Sequence, residues 1–135
     1  MLNLFNLEKQ AGKRVQKLIA HLSAAEALEA RNARMVLNTT ADKVSVHLYD
    51  QQRYVKTIQI RDITAFFGLD HDERIVESVQ KYLVLLSCEN GVDIVHLNVV
   101  LCENKGEIGA HVYNGGKHIK QIPTLELFGH FYTND

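Results

Sequence analysis

Six residues with chemically useful side chains fall close together late in the chain: His96, Asn98, His111, Tyr113, His118 and Lys120. Imidazole, amide, phenol and ammonium groups supply donors, acceptors and an aromatic surface. Three kinds of chemistry can use such a set. His96, His111 or His118 can act as a general acid or base, imidazoles can ligate a metal, or the whole set can form a contact surface for a partner.

The metal option is the weakest of the three. If the residues lie on adjacent strands, His96 and His118 stand two strands apart, roughly 9.6 Å between backbones. Zinc holds imidazole nitrogen at about 2.0 to 2.1 Å, so this pair converges poorly on one ion. His111 lies diagonal to both, at about 7 to 8 Å. No H-E-x-x-H or C-x-x-C spacing completes a ligand set,. No metal and no other cofactor is expected.

Other motifs are accounted for by structure. The acidic run Asp70, Asp72 and Glu73 sits where a helix should start, and carboxylates there cap free amides and complement the helix dipole,. Gly109 to Lys117 (GAHVYNGGK) departs from the phosphate-loop spacing and is followed by His118,. Cys88 has no nucleophile signature around it, and Ser23, Ser45, Ser78 and Ser87 lack the G-x-S-x-G context,. No catalytic residue is assigned.

The elements that position the six residues run from Asp93 to Ile122, which has the pattern of three antiparallel strands. A turn centred on Glu103 to Gly106 pairs Cys102 with Glu107, Leu101 with Ile108, Val99 with Ala110 and Leu97 with Val112. A second turn on Gly115-Gly116 pairs Val112 with Ile119 and is preferred to one on Asn114-Gly115, which would set apolar against charged residues. Apolar then meets apolar on one face. The other face carries two rows: His96, Tyr113, His118 and Asn98, His111, Lys120.

Upstream, residues 5 to 33 have helical spacing, with Leu7, Ala11, Val15, Leu18 and Leu22 on one face,. Ser23 and Glu26 have the capping-box pattern, so a restart near Ser23 and a second helical segment from Ala24 to Ala33 are expected. Met35 to Thr39 is a short candidate strand, and Thr40 to Asp42 a turn. Val44 to Tyr49 and Tyr54 to Ile60 form a hairpin, pairing Val46 with Ile58 and Val44 with Ile60 across a three-residue loop. Asp62 is placed as the cap of a short helix ended by Gly68. A helix from Asp70 is closed by Asn90-Gly91, and Thr124 to Phe131 is expected to be helical. The predicted fold is α+β: one antiparallel sheet of five to six strands with the N-terminal and central helices packed on it, in the order α-β-β(-β)-α-β-β-β-α, over 1–135 as one domain. No internal repeat, low-complexity tract or linker stands out.

The formal net charge is -1. Residues 1 to 34 hold six Lys/Arg against three Asp/Glu. That defines a candidate basic patch of Lys9, Lys13, Arg14 and Lys17 on the first helix, the residues a nucleic-acid contact would use. The two cysteines, Cys88 and Cys102, are too few for a disulfide framework,. The start lacks a signal-peptide pattern and no run is long enough to span a membrane, so a cytoplasmic setting is expected.

Two resemblances stand beside these patterns. The order of elements is similar to that of roadblock-type and profilin-like regulatory modules and of small secretion chaperones. Leu2-Asn-Leu-Phe5 and Leu125-Glu-Leu-Phe128 each resemble the core of the peptides that bind bacterial sliding clamps, without the leading glutamine. Together the observations favour a small non-enzymatic adaptor, chaperone or regulator. Its expected partner is a protein, with homodimer formation among the options and a sheet edge or the first helix as the contact. A nucleic-acid binder and a histidine-dependent enzyme are the alternatives, and no membrane partner is expected.

Overall fold

A computed structural model describes residues 4–40, 43–70 and 72–132, with backbone alone for Leu4, Phe5 and Tyr132. The chain order is α1 (Leu4–Ala25), β1 (Ala33–Thr40), β2 (Lys43–Asp50), β3 (Arg53–Ile58), α2 (Ile60–Phe66), α3 (Glu73–Asn90), β4 (Leu97–Asn104), β5 (Glu107–Asn114), β6 (Lys117–Ile122) and α4 (Thr124–Tyr132). Short 3-10 turns at Ala30–Asn32 and Ile94–His96 lead into β1 and β4. The strands form a single antiparallel sheet in the order β3-β2-β1-β4-β5-β6. The expected α+β fold and element order are therefore observed, with β1 as the additional strand.

The sheet order is two-fold about its centre, and so is the sequence. β4 begins at Leu97 and β1 at Ala33, an offset of 64 residues; β2 and β5, β3 and β6, the two 3-10 turns, and the starts of α2 and α4 are separated by the same 64. The burial patterns of β1 and β4 are the same, as are those of β3 and β6. The outer hairpins share one defect, a bulge between Leu48 and Tyr49 and another between Val112 and Tyr113. At the same offset Val15, Gln16, Lys17, Leu22, Ser23, Val36, Leu37, His47, Tyr49, Lys56, Ile58 and Phe67 recur as Val79, Gln80, Lys81, Leu86, Ser87, Val100, Leu101, His111, Tyr113, Lys120, Ile122 and Phe131. The chain is thus a tandem repeat of one α-β-β-β-α unit, which corrects the expectation that no repeat was present. Most paired positions keep only their burial, so identity is sparse, and the period exceeds the usual 20 to 50 residues.

The pseudo-two-fold axis passes between Val36 and Val100, which face each other where β1 pairs with β4. On one side of the sheet the alternate residues Ala33, Met35, Leu37, Val46, Leu48, Leu97, Val99, Leu101, Ala110 and Val112 are buried under helices,. α1 presents Ala11, Val15, Leu18 and Ile19, and α3 presents their equivalents Ile75, Val79, Tyr82 and Leu83. Each of these helices crosses to the strands of the other repeat: α1 packs on β5 and α3 on β2, as well as on β1. One core therefore serves both repeats.

Several local expectations are corrected. α1 ends at Ala25, and the segment expected to be a second helix from Ala24 to Ala33 is a turn followed by the 3-10 turn. Ser23 lies inside α1; its hydroxyl is buried without a hydrogen-bond partner, so there is no capping box. Its carbonyl instead accepts from the Leu28 amide at 2.8 Å, closing the helix around Ala27 in a left-handed conformation (φ 57°),. Ser87, Val92 and Gly91 (φ 63°) repeat that ending on α3. At α2 the residue before the helix is Gln59 and Asp62 sits within the first turn, so Asp62 is no cap. Asp72 does cap α3, accepting from the Arg74 amide at 2.9 Å. The expected 40–42 turn includes residues 41 and 42, outside the described ones.

Strand registers also differ. The β4–β5 loop is Lys105–Gly106 alone, so Leu97 pairs with Asn114, Val99 with Val112, Leu101 with Ala110 and Cys102 with Gly109. The slip is two residues, which preserves the faces. Both loop residues take positive φ (54° and 80°), as a two-residue primed turn needs,. Val46 pairs with Ile58 as expected, but across a two-residue loop and a bulge, and Ile60 starts α2 and has no strand partner.

Candidate functional site

The side of the sheet opposite the helices is open, and it carries the residues singled out from the sequence together with their equivalents from the first repeat. Its centre is Val36 and Val100, both half-buried. Beside them the Asn38 amide donates from Nδ2 to Asn98 Oδ1 at 3.1 Å. Arg34, opposite Cys102, donates to the carbonyls of Arg31 at 3.2 Å and Ala33 at 3.1 Å, which holds its guanidinium along the start of β1. A shallow depression of about 500 Å³ lies over the axis. Apart from Asn38, its lining comes in equivalent pairs: Val36 and Val100, Arg34 and Asn98, Tyr49 and Tyr113, Gln51 and Gly115, Gln52 and Gly116.

Each flank carries a ring cluster. On the second repeat the Tyr113 and His118 rings meet edge to face, centroids 5.2 Å apart at 81°. His111 Nδ1 lies 3.1 Å from His118 Nε2. On the first repeat Tyr49 and Tyr54 meet at 5.8 Å and 77°, and His47 lies 5.9 Å from Tyr54. There both His47 and the Tyr54 hydroxyl reach Thr57 Oγ1, at 3.2 and 2.6 Å. The His111 ring folds over Gly109, where a Cβ would stand 2.8 Å from Nε2, whereas Ser45 occupies the equivalent position beside His47.

Charge on His111 is restrained. Burial, then the neighbouring His118, lowers the His111 pKa,. A contact between two imidazoles needs one nitrogen to donate and the other to accept, so double protonation removes it. Each ring thus spends a nitrogen on the other. The Cys102 thiol, half-buried on the same face, is pushed up by burial and partly drawn back by Arg34.

The structure brings Asn98, Tyr113 and His118 into one row, with Asn98 opposite Tyr113 and Tyr113 opposite His118, and sets His111 in the next, opposite Val100 and Gln121. It does not bring in the other two. His96 belongs to the 3-10 turn before β4, where its side chain is exposed and its carbonyl accepts from the Gly115 amide at 2.7 Å. Lys120 pairs with Val112, a helix-side position, because the bulge inserts Ile119 and reverses the alternation beyond it,. Sequence reasoning missed Arg34, Val36, Asn38, His47, Tyr49 and Tyr54. The offset linking His47 to His111 and Tyr49 to Tyr113 was the signal that would have found them.

The basic residues of α1 border two depressions. Lys9 and Lys13 border a depression shared with Glu8 and Glu107, while Arg14 and Lys17 border another with Phe66, Phe67 and Leu69. Of the two clamp-like segments, Leu2 to Phe5 lies outside the residues whose side chains are described, and Leu127 and Phe128 of the other are fully buried in the core. Among the described residues no helix is long and apolar enough to cross a membrane, and no group of three or more His, Cys, Asp and Glu is placed to hold a metal ion.

A second polar cluster was not anticipated. Between α3 and α4 the Ser78 hydroxyl meets His130 Nδ1 at 2.8 Å, the Tyr82 hydroxyl donates to the Glu126 carboxylate, and the Tyr82 and His130 rings pack 4.6 Å apart. Burial raises the Tyr82 pKa, reinforced by Glu126, and lowers that of His130. These contacts tie the two helices together.

Comparison with family models, with curated proteins and with solved structures finds no match to this chain.

Proposed function

We propose that the chain is a small non-enzymatic protein-binding module and that its contact is the open face of the sheet. The observation that carries this is the face's composition. By strand alternation it presents two ring clusters, paired asparagines and two valines, while among the described residues its formally charged side chains are Arg34 near the centre and Lys43 and Glu107 at the hairpin end. A solvated sheet face is usually polar and charged. Tyrosine and arginine with few Lys, Glu or Asp is the composition of an interface core.

The sheet edges suit a contact less well than expected from the sequence. β3 carries Arg53 and Lys56, and β6 carries Lys117 and Lys120 at the equivalent places. Lysine on an edge strand is a common guard against added strands. The enzyme alternative has less support, because His111 and His118 are engaged with each other on an open surface and the central depression is lined by no histidine.

Photo-crosslinking in the native cell tests the proposal. A crosslinking residue at Tyr113 is expected to give protein adducts, and one at Leu85 on the outer side of α3 is not. Adducts removed by nuclease, or equal protein adducts from both positions, would overturn it.

A further inference from the structure

We infer that the occupant of the open face is a second copy of this chain, stacked sheet against sheet; the inference rests on the reading of that face as a docking surface. Three observations carry it. The first is area. Six strands about 4.8 Å apart, six to eight residues long at about 3.3 Å each, give a face of roughly 29 by 24 Å, or roughly 700 Å² per copy,. Two such faces together bury roughly 1,400 Å², inside the range of about 1,200 to 2,000 Å² for stable specific interfaces.

The second is symmetry. A two-fold dimer must bring one surface against itself. This face already has a pseudo-two-fold axis normal to it, through the Val36–Val100 pair. A dimer axis parallel to the sheet, midway between the two copies and crossing that pseudo-axis, makes every contact recur in near-equivalent form, with the valines of both copies at the centre. The sheets then lie about 10 Å apart in the aligned manner of a β-sandwich.

The third is charge. With the dimer axis across the strands, Arg34 falls over the second copy's Asn38, whose amide oxygen can accept from it. With the axis along the strands it falls over Cys102. In neither arrangement does Arg34 meet its own mate, and its pseudo-equivalent Asn98 is not a second cation. A near-neutral face meets its copy without like-charge repulsion, which is the condition self-association imposes.

Sedimentation equilibrium of the full chain is the test. The wild type is expected at twice its 15.3 kDa mass. The double variant V36R/V100R is expected to be monomeric, with dimer affinity weakened by at least about 100-fold, and to keep its far-UV circular dichroism. L85R, on the exposed side of α3, should remain dimeric. Mixing V36R/V100R with V36E/V100E should restore a dimer, an outcome that misfolded variants would not give. A wild type that is monomeric at roughly 100 μM, where even weak specific dimers are populated, would overturn the inference. So would a dimer lost in L85R but kept in V36R/V100R. A monomer that still gives protein adducts from Tyr113 assigns the face to a different protein and leaves the docking reading standing. A monomer without adducts removes both.

Discussion

Ser23 shows how one residue's role depends on what surrounds it. Its spacing to Glu26 matches a capping box, in which the hydroxyl would satisfy an orphan amide. In the fold Ser23 is 1% exposed and its hydroxyl has no partner. The equivalent Ser87 Oγ finds the Val84 carbonyl at 2.7 Å. An unpaired buried hydroxyl costs free energy, and its removal returns some of it. Ser23→Ala is therefore expected to leave stability unchanged or raise it by up to about 1 kcal/mol, whereas a capping serine would lose about 1 kcal/mol. Urea denaturation distinguishes the two by sign; a clear loss would show that the hydroxyl does have a partner. His111 teaches the complementary lesson. The sequence offered it as a base or ligand, and its nearest chemical neighbour proves to be another imidazole.

At the scale of elements, most strands and helices were legible and most of their ends were not. β2, β5 and α3 carry clear periodicities, and Gly91 marks a helix end by its type. The end of α1 was hidden because Ala27 stands where glycine would be expected, and alanine reads as more helix. The faces of β4 and β5 survived a two-residue error of register because alternation has period two. Those of β6 did not, because a bulge has no residue signature: Ile119 looks like an ordinary strand residue, and inserting it carried Lys120 to the other side. The repeat makes the helix ends a controlled comparison. Left-handed backbone costs an L-residue about 1 to 2 kcal/mol, and a Cβ at Gly91 would meet nothing within 4 Å, so conformation alone decides. Ala27→Gly is expected to stabilise the protein by about 1 kcal/mol and Gly91→Ala to destabilise it by a similar amount. Chemical denaturation of both variants checks the pair, and changes of the same sign would refute a shared helix ending.

At the scale of the molecule, the question is whether two repeats make two folding units or one. A tandem duplication suggests two, each able to open alone. The packing argues otherwise, because α1 covers β5 and α3 covers β2, so neither repeat keeps its core when the other is removed. Val15 and Val79 are the matched probes: equivalent by the 64-residue offset, identical in type and both wholly buried. Losing two methyl groups and leaving a small cavity costs roughly 2 to 3 kcal/mol at such a site. In a single cooperative unit, Val15→Ala and Val79→Ala each lower one transition that moves as a whole, and hydrogen exchange speeds up in the most protected strands of both repeats alike. In independent halves, each variant would shift only its own half and leave the other's slowest amides untouched. The crossed helices predict the first outcome. They also set the two long helices on one side of the sheet: α1 and α3 are both committed across the axis there, away from Val36 and Val100.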